Sequence, residues 1–129
     1  MKIKNIFRRL ILVELALFIL IFISIFFESQ EVINFNENYQ KSISEMFDMM
    51  AFFIVLIGYP VAIYLLYNFK FFGKQLYLIL TIFALVFSMF AGPVATDPWL
   101  YIIDILGCAN TGAILVLLYF SPISKEFGK

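Results

Sequence analysis

Four stretches of this chain are apolar for long enough to cross a bilayer, and that limits its fold more than any other feature. They run from about Leu10 to Phe27, Met46 to Tyr67, Gln75 to Ala91 and Trp99 to Phe120. A spanning helix needs roughly 20 mainly apolar residues. In hydrocarbon each backbone N–H and C=O must be bonded within its own segment, so these are helices and not lone strands. The sequence therefore predicts an all-α integral membrane protein, one domain over residues 1–129, with four transmembrane helices in an antiparallel bundle. The third span is the shortest.

Composition bears this out and removes several function classes. With 64% hydrophobic residues and 17 phenylalanines in 129 residues, a soluble fold would lack the interior to hide them. Formal net charge is zero and no basic stripe stands out, which excludes nucleic acid as a partner. Histidine is absent, and with it the commonest general base and metal ligand. No P-loop, HExxH, GxSxG or CxxC occurs, so the sequence predicts no enzyme, no metal site and no cofactor. The run from Leu10 to Phe27 is too long for a signal-peptide core, contains Glu14 and is followed by no A-x-A-like cleavage site; it reads as an uncleaved span.

Positive charge fixes an expected orientation. Lys2, Lys4, Arg8 and Arg9 precede the first span, Lys70 and Lys74 lie between the second and third, and Lys125 and Lys129 follow the fourth. The first connection holds Glu28, Glu31, Glu37, Glu45 and Asp48 against Lys41 alone. Because Lys and Arg stay on the cytoplasmic side, both termini are expected in the cytoplasm and the acidic segment 28–43 outside. The expected location is a bacterial inner membrane.

Local signals punctuate these spans. Ser42 to Glu45 fits a capping box, Gly92-Pro93 a helix stop, and Asp97-Pro98 an N-cap followed by the first helical position. Ser121-Pro122 ends the fourth span. Pro60 lies inside the second, where it frees the carbonyl of Leu56 and should kink the helix.

Within a bilayer, helices associate by close packing of small residues and by polar contacts. The fourth span concentrates small residues from Gly107 to Ala113, so Gly107, Cys108, Thr111 and Gly112 are expected packing positions. In the third, Thr81, Ala84, Ser88 and Ala91 share one face, and in the second Ala51, Gly58 and Ala62 do. The first span has only Ala16 and Ser24 and is expected outermost. Asn110 is the expected helix-to-helix hydrogen-bonding residue, and the tyrosines are expected mostly as interfacial belts.

Two acids, Glu14 and Asp104, stand inside expected spans with no basic residue there to pair with. Each lies five residues beyond an interfacial marker, Arg9 or Trp99, or roughly 7 Å inward. From opposite faces of a core about 30 Å thick, they are roughly 15 Å apart, too far to cooperate as a catalytic pair. An intramembrane acid marks proton, cation or substrate handling unless its neighbours satisfy it, so both are candidates for that role. The leading expectation is a non-catalytic accessory, assembly or protective membrane protein acting by helix packing and its acidic loop. The alternative is a small proton- or cation-coupled transporter, or a channel, formed by oligomerisation. Expected partners are the lipid bilayer and either a second copy or another membrane protein.

Overall fold

A computed structural model describes residues 2–38, 45–90 and 94–128, Glu45 by its backbone alone. Among them all regular structure is helical: α1 (Lys2–Ser24), a 3-10 turn (Ile25–Phe27), α2 (Gln30–Asn38), α3 (Glu45–Tyr67), α4 (Phe71–Phe90), α5 (Pro98–Phe120) and a 3-10 segment (Pro122–Gly128). Four helical stretches are long and apolar enough to cross a membrane, at 26, 22, 20 and 23 residues. Boundaries of the second and fourth fall within one residue of expectation. The first and third begin earlier than expected, because their basic and aromatic leaders continue the helix.

The first helix is not outermost. α1 packs most extensively on α5 and also touches α3, while α3 and α4 form the other close pair. Phe7, Ile11 and Glu14 of α1 are buried at spacings of four and three, one helical stripe. Large residues thus make this contact, and small ones were not needed for it. α3 contributes Ala51, Ala62, Ile63 and Leu66, and α5 contributes Ile114 and Leu118. Gly58 admits Leu80 of α4, whose methyl carbons would lie 3.2 Å from an added Cβ.

The turn from α3 to α4 is short and strained. Lys70 N–H donates to Leu65 C=O at 2.9 Å and Phe69 N–H to Leu66 C=O at 3.0 Å, the paired bonds of a Schellman ending. Glycine usually holds the left-handed position of that motif; here Phe69 does, with φ 55°. Its ring is fixed between Phe7 at 5.8 Å and Phe127 at 5.4 Å. Gly73, one turn into α4, lies so close to α3 that a Cβ would stand 2.6 Å from Leu65 Cβ.

At the other end the acidic connection is partly structured. Ser29 N–H donates to Asp97 Oδ2 at 2.9 Å, and Asn36 exchanges two bonds with the backbone of Ala95, at 3.1 and 3.0 Å. Asp97 keeps its place before Pro98, yet its carboxylate makes no capping bond to α5. It serves the start of α2 instead, where unpaired N–H groups favour an anion. The expected capping box at 42–45 and the stop at 92–93 lie outside the described residues, apart from the backbone of Glu45. α3 continues through Pro60 without a break in its helical pattern.

Candidate functional site

Glu14 is the centre of the polar interior. It is 3% exposed, and both carboxylate oxygens are taken up. Tyr59 Oη on α3 donates to Oε1, as do Tyr77 Oη on α4 at 2.8 Å and Thr111 Oγ1 on α5 at 2.6 Å. Asn110 Nδ2, also on α5, donates to Oε2 at 2.5 Å and to the Leu10 carbonyl of α1 at 3.1 Å. One carboxyl therefore binds side chains from every other helix of spanning length.

The local sequence explains each placement. Glu14 continues the stripe of Phe7 and Ile11, so the face that packs on α5 carries the acid inward. Asn110 begins a stripe with Ile114 and Leu118, and Thr111 sits beside it. Tyr77 lies one turn beyond Gly73, at whose position α4 is pressed against α3, and is fully buried. Tyr59 precedes Pro60; its ring stacks on Phe18 at 5.3 Å and its hydroxyl lies 3.4 Å from that of Tyr77.

No basic side chain bonds Glu14 among the described residues. Its donors are three hydroxyls and one amide, and among the described residues no group of three potential metal ligands occurs. Hydroxyls turn to donate or accept, so Tyr59, Tyr77 and Thr111 can satisfy Glu14 with or without its proton while heavy atoms stay put. Interhelical hydrogen bonds in membranes contribute on average about 0.6 kcal/mol each, up to roughly 1.7. At that average, four such bonds would sum to about 2.4 kcal/mol, the same order as the few kcal/mol that an acid costs within a span. The cage gives the buried Glu14 carboxyl the partners that burial requires. No buried side-chain nitrogen or oxygen lacks a partner among the described residues.

Asp104 is not part of this site. It lies six residues before Asn110 on α5, roughly 9 Å along the axis, half-buried and without a hydrogen bond to another described residue. Of the expected packing positions, Thr111 is itself a partner of Glu14 and the others lie elsewhere. Gly107 and Gly112 have no atom within 4 Å of an added Cβ, and Cys108 is exposed. Ala84 and Ser88 face outward on α4, where Ser88 donates to Leu85 C=O at 2.8 Å. Of the small-residue band, Asn110 and Thr111 alone turn inward to Glu14.

Sequence reasoning anticipated Asn110 as an interhelical donor but missed Tyr59 and Tyr77, read as interfacial aromatics. An acid without a cation needs donors, and few residues of the spans can supply them. That inventory was the available signal. No protein-family model matches this chain, and no curated protein and no solved structure is similar to it.

Proposed function

We propose that this chain is a small multi-pass protein of the cell membrane that works without catalysis, as an accessory, assembly or protective protein. In this reading its four long helices form an antiparallel bundle across the bilayer with both termini in the cytoplasm. Bands of exposed large apolar residues on every long helix, Met89 and Phe120 among them at 81% and 86% exposure, support the spanning arrangement. Such surface suits lipid and not water.

The observation that carries the functional reading is the shared Glu14 carboxyl. Its bonds reach all three other spans, so the acid is committed to fixing how the helices rotate against one another. What remains for action is surface. The outward face of α5 offers Gly107, Cys108 and Gly112 for close approach by a second copy or another membrane protein. The acidic α2, tied down by Asp97 and Ala95, offers Glu31 and Glu37 beyond the membrane.

A second reading, proton- or cation-coupled transport, is favoured by one feature: the hydroxyl cage accommodates either protonation state of Glu14. Reconstitution into sealed liposomes separates the two. Under an imposed proton or potassium gradient, the accessory reading expects the leak of empty liposomes. Flux that Glu14→Gln abolishes without loss of folded protein would replace it with the transport reading.

A further inference from the structure

The end of the molecule opposite α2 gathers the start of α1, the α3–α4 turn and the C-terminal 3-10 segment. Phe7 packs on Phe127, Lys4 pairs with Glu126 at 2.8 Å, and Lys74 donates to Ser124 Oγ at 2.9 Å. These contacts bring Lys2, Lys4, Arg8, Arg9, Lys70, Lys74 and Lys125 to one rim. Glu126 is the acid among the described residues there, and Lys4 already engages it.

Two cations of this rim are already paired with protein partners. Lys4 is held by Glu126, and Lys74 lies over the Tyr119 ring at 4.3 Å with its ammonium bonded to Ser124. Arg8 is different. Its guanidinium lies 5.2 Å from the Tyr67 ring centroid and 5.3 Å from that of Phe69, is exposed, and meets no carboxylate among the described residues. Arginine presents five N–H donors in a rigid fork suited to phosphate, and contact with aromatic faces leaves those donors free.

The shelf beneath Arg8 is built at some expense. Phe69 occupies the left-handed backbone region, which disfavours any side chain by about 1–2 kcal/mol. Its ring is held there by Phe7 and Phe127. Together with Tyr67 at the last position of α3, this shelf stands where a spanning helix leaves hydrocarbon, at headgroup level.

We propose that Arg8, seated on Tyr67 and Phe69, binds the headgroup phosphate of an anionic phospholipid, with Arg9 and Lys70 adding charge around it. The inference rests on the spanning reading, because only then does the shelf face headgroups. Net charge favours an anionic lipid over a zwitterionic one, whose own ammonium this rim would repel.

The test uses the purified full chain in a neutral detergent, titrated with phosphatidylglycerol or phosphatidylcholine and followed by thermal unfolding and native mass spectrometry. Phosphatidylglycerol should raise Tm saturably and be retained on the protein, with phosphatidylcholine far weaker. Arg8→Gln should weaken apparent lipid affinity roughly tenfold, and Arg8→Lys should fall between, keeping charge but losing the fork. Glu37→Gln, at the far end, should leave lipid preference unchanged. Mass spectrometry keeps the result readable if Arg8→Gln lowers Tm by itself. Equal retention of both lipids, or unaltered retention in Arg8→Gln, would overturn the proposal. An equal Tm rise from inorganic phosphate would overturn the commitment to lipid. Alkaline extraction of membranes separates the underlying reading: release of the protein ends the spanning arrangement and this inference with it, whereas retention without lipid preference ends this inference alone.

Discussion

Tyr77 on α4 donates to Glu14 on α1 across 2.8 Å, joining residues 63 positions apart in the chain. The same Oε1 receives Tyr59 and Thr111, so the carboxyl is a junction for helices far apart in sequence.

Removing that junction should separate polarity from charge. Glu14→Leu takes the carboxyl acceptor from Thr111 and two tyrosines and leaves Asn110 only the Leu10 carbonyl, and the loss should reach about 2–4 kcal/mol. Glu14→Gln retains an acceptor oxygen, and its amide can donate to a hydroxyl; its loss should stay near 1 kcal/mol. Reversible unfolding in mixed micelles measures both. Equal losses would show that the contacts themselves contribute little.

Glycines give a second contrast. Gly73→Ala would force a Cβ within 2.9 Å of the α3 backbone, and backbone does not move cheaply; a loss of about 2 kcal/mol or more is expected. Gly112→Ala meets nothing within 4 Å, and alanine favours a helix by about 0.5–1 kcal/mol, so the monomer should gain slightly. Gly112→Leu should likewise fold but lose association if a second chain packs there. Light scattering and thermal unfolding, read together, decide between these sites.

The spans were readable because length and apolarity are one-dimensional properties. The site was less so. In a segment built of Leu, Ile, Val and Phe, every face is apolar and the helix has no pattern to reveal its rotation. Polar residues then mark the inward face. Glu14 does so on α1 and Asn110 on α5, whereas Ala84 and Ser88 mark an outward face because smallness does not distinguish a contact from an open surface. Tyr59 and Tyr77 were misread since a tyrosine serves equally at an interface or beside a buried acid. Asp97 fitted an N-cap by position, but its carboxylate found Ser29, a partner 68 residues away that no local rule could supply.

Phe69 offers a test of backbone strain isolated from packing. Phe69→Ala and Phe69→Gly both lose the ring contacts with Phe7 and Phe127, and differ mainly in the cost of φ 55°. The glycine variant should be the more stable by about 1 kcal/mol, since only glycine enters that region freely. An alanine variant as stable as the glycine one would show that the turn relaxes.

Docking of α2 should depend on Asp97. Asp97→Ala removes the acceptor for Ser29 N–H, and amide exchange in residues 30–38 should accelerate roughly fivefold, corresponding to about 1 kcal/mol of local stability. The amides of α1 should be unaffected. Unaltered exchange in α2 would assign its order to Asn36 and Ala95 alone.

The central claim is that Glu14 and Tyr77 act on stability through each other. A double-mutant cycle with Glu14→Leu and Tyr77→Phe in the same micelles measures this directly. Each single change removes one side of the bond, so the double variant should lose clearly less than the two singles combined, by about 0.5–2 kcal/mol. Strict additivity would contradict the account, because two groups that add independently do not share the bond on which the four helices are proposed to meet.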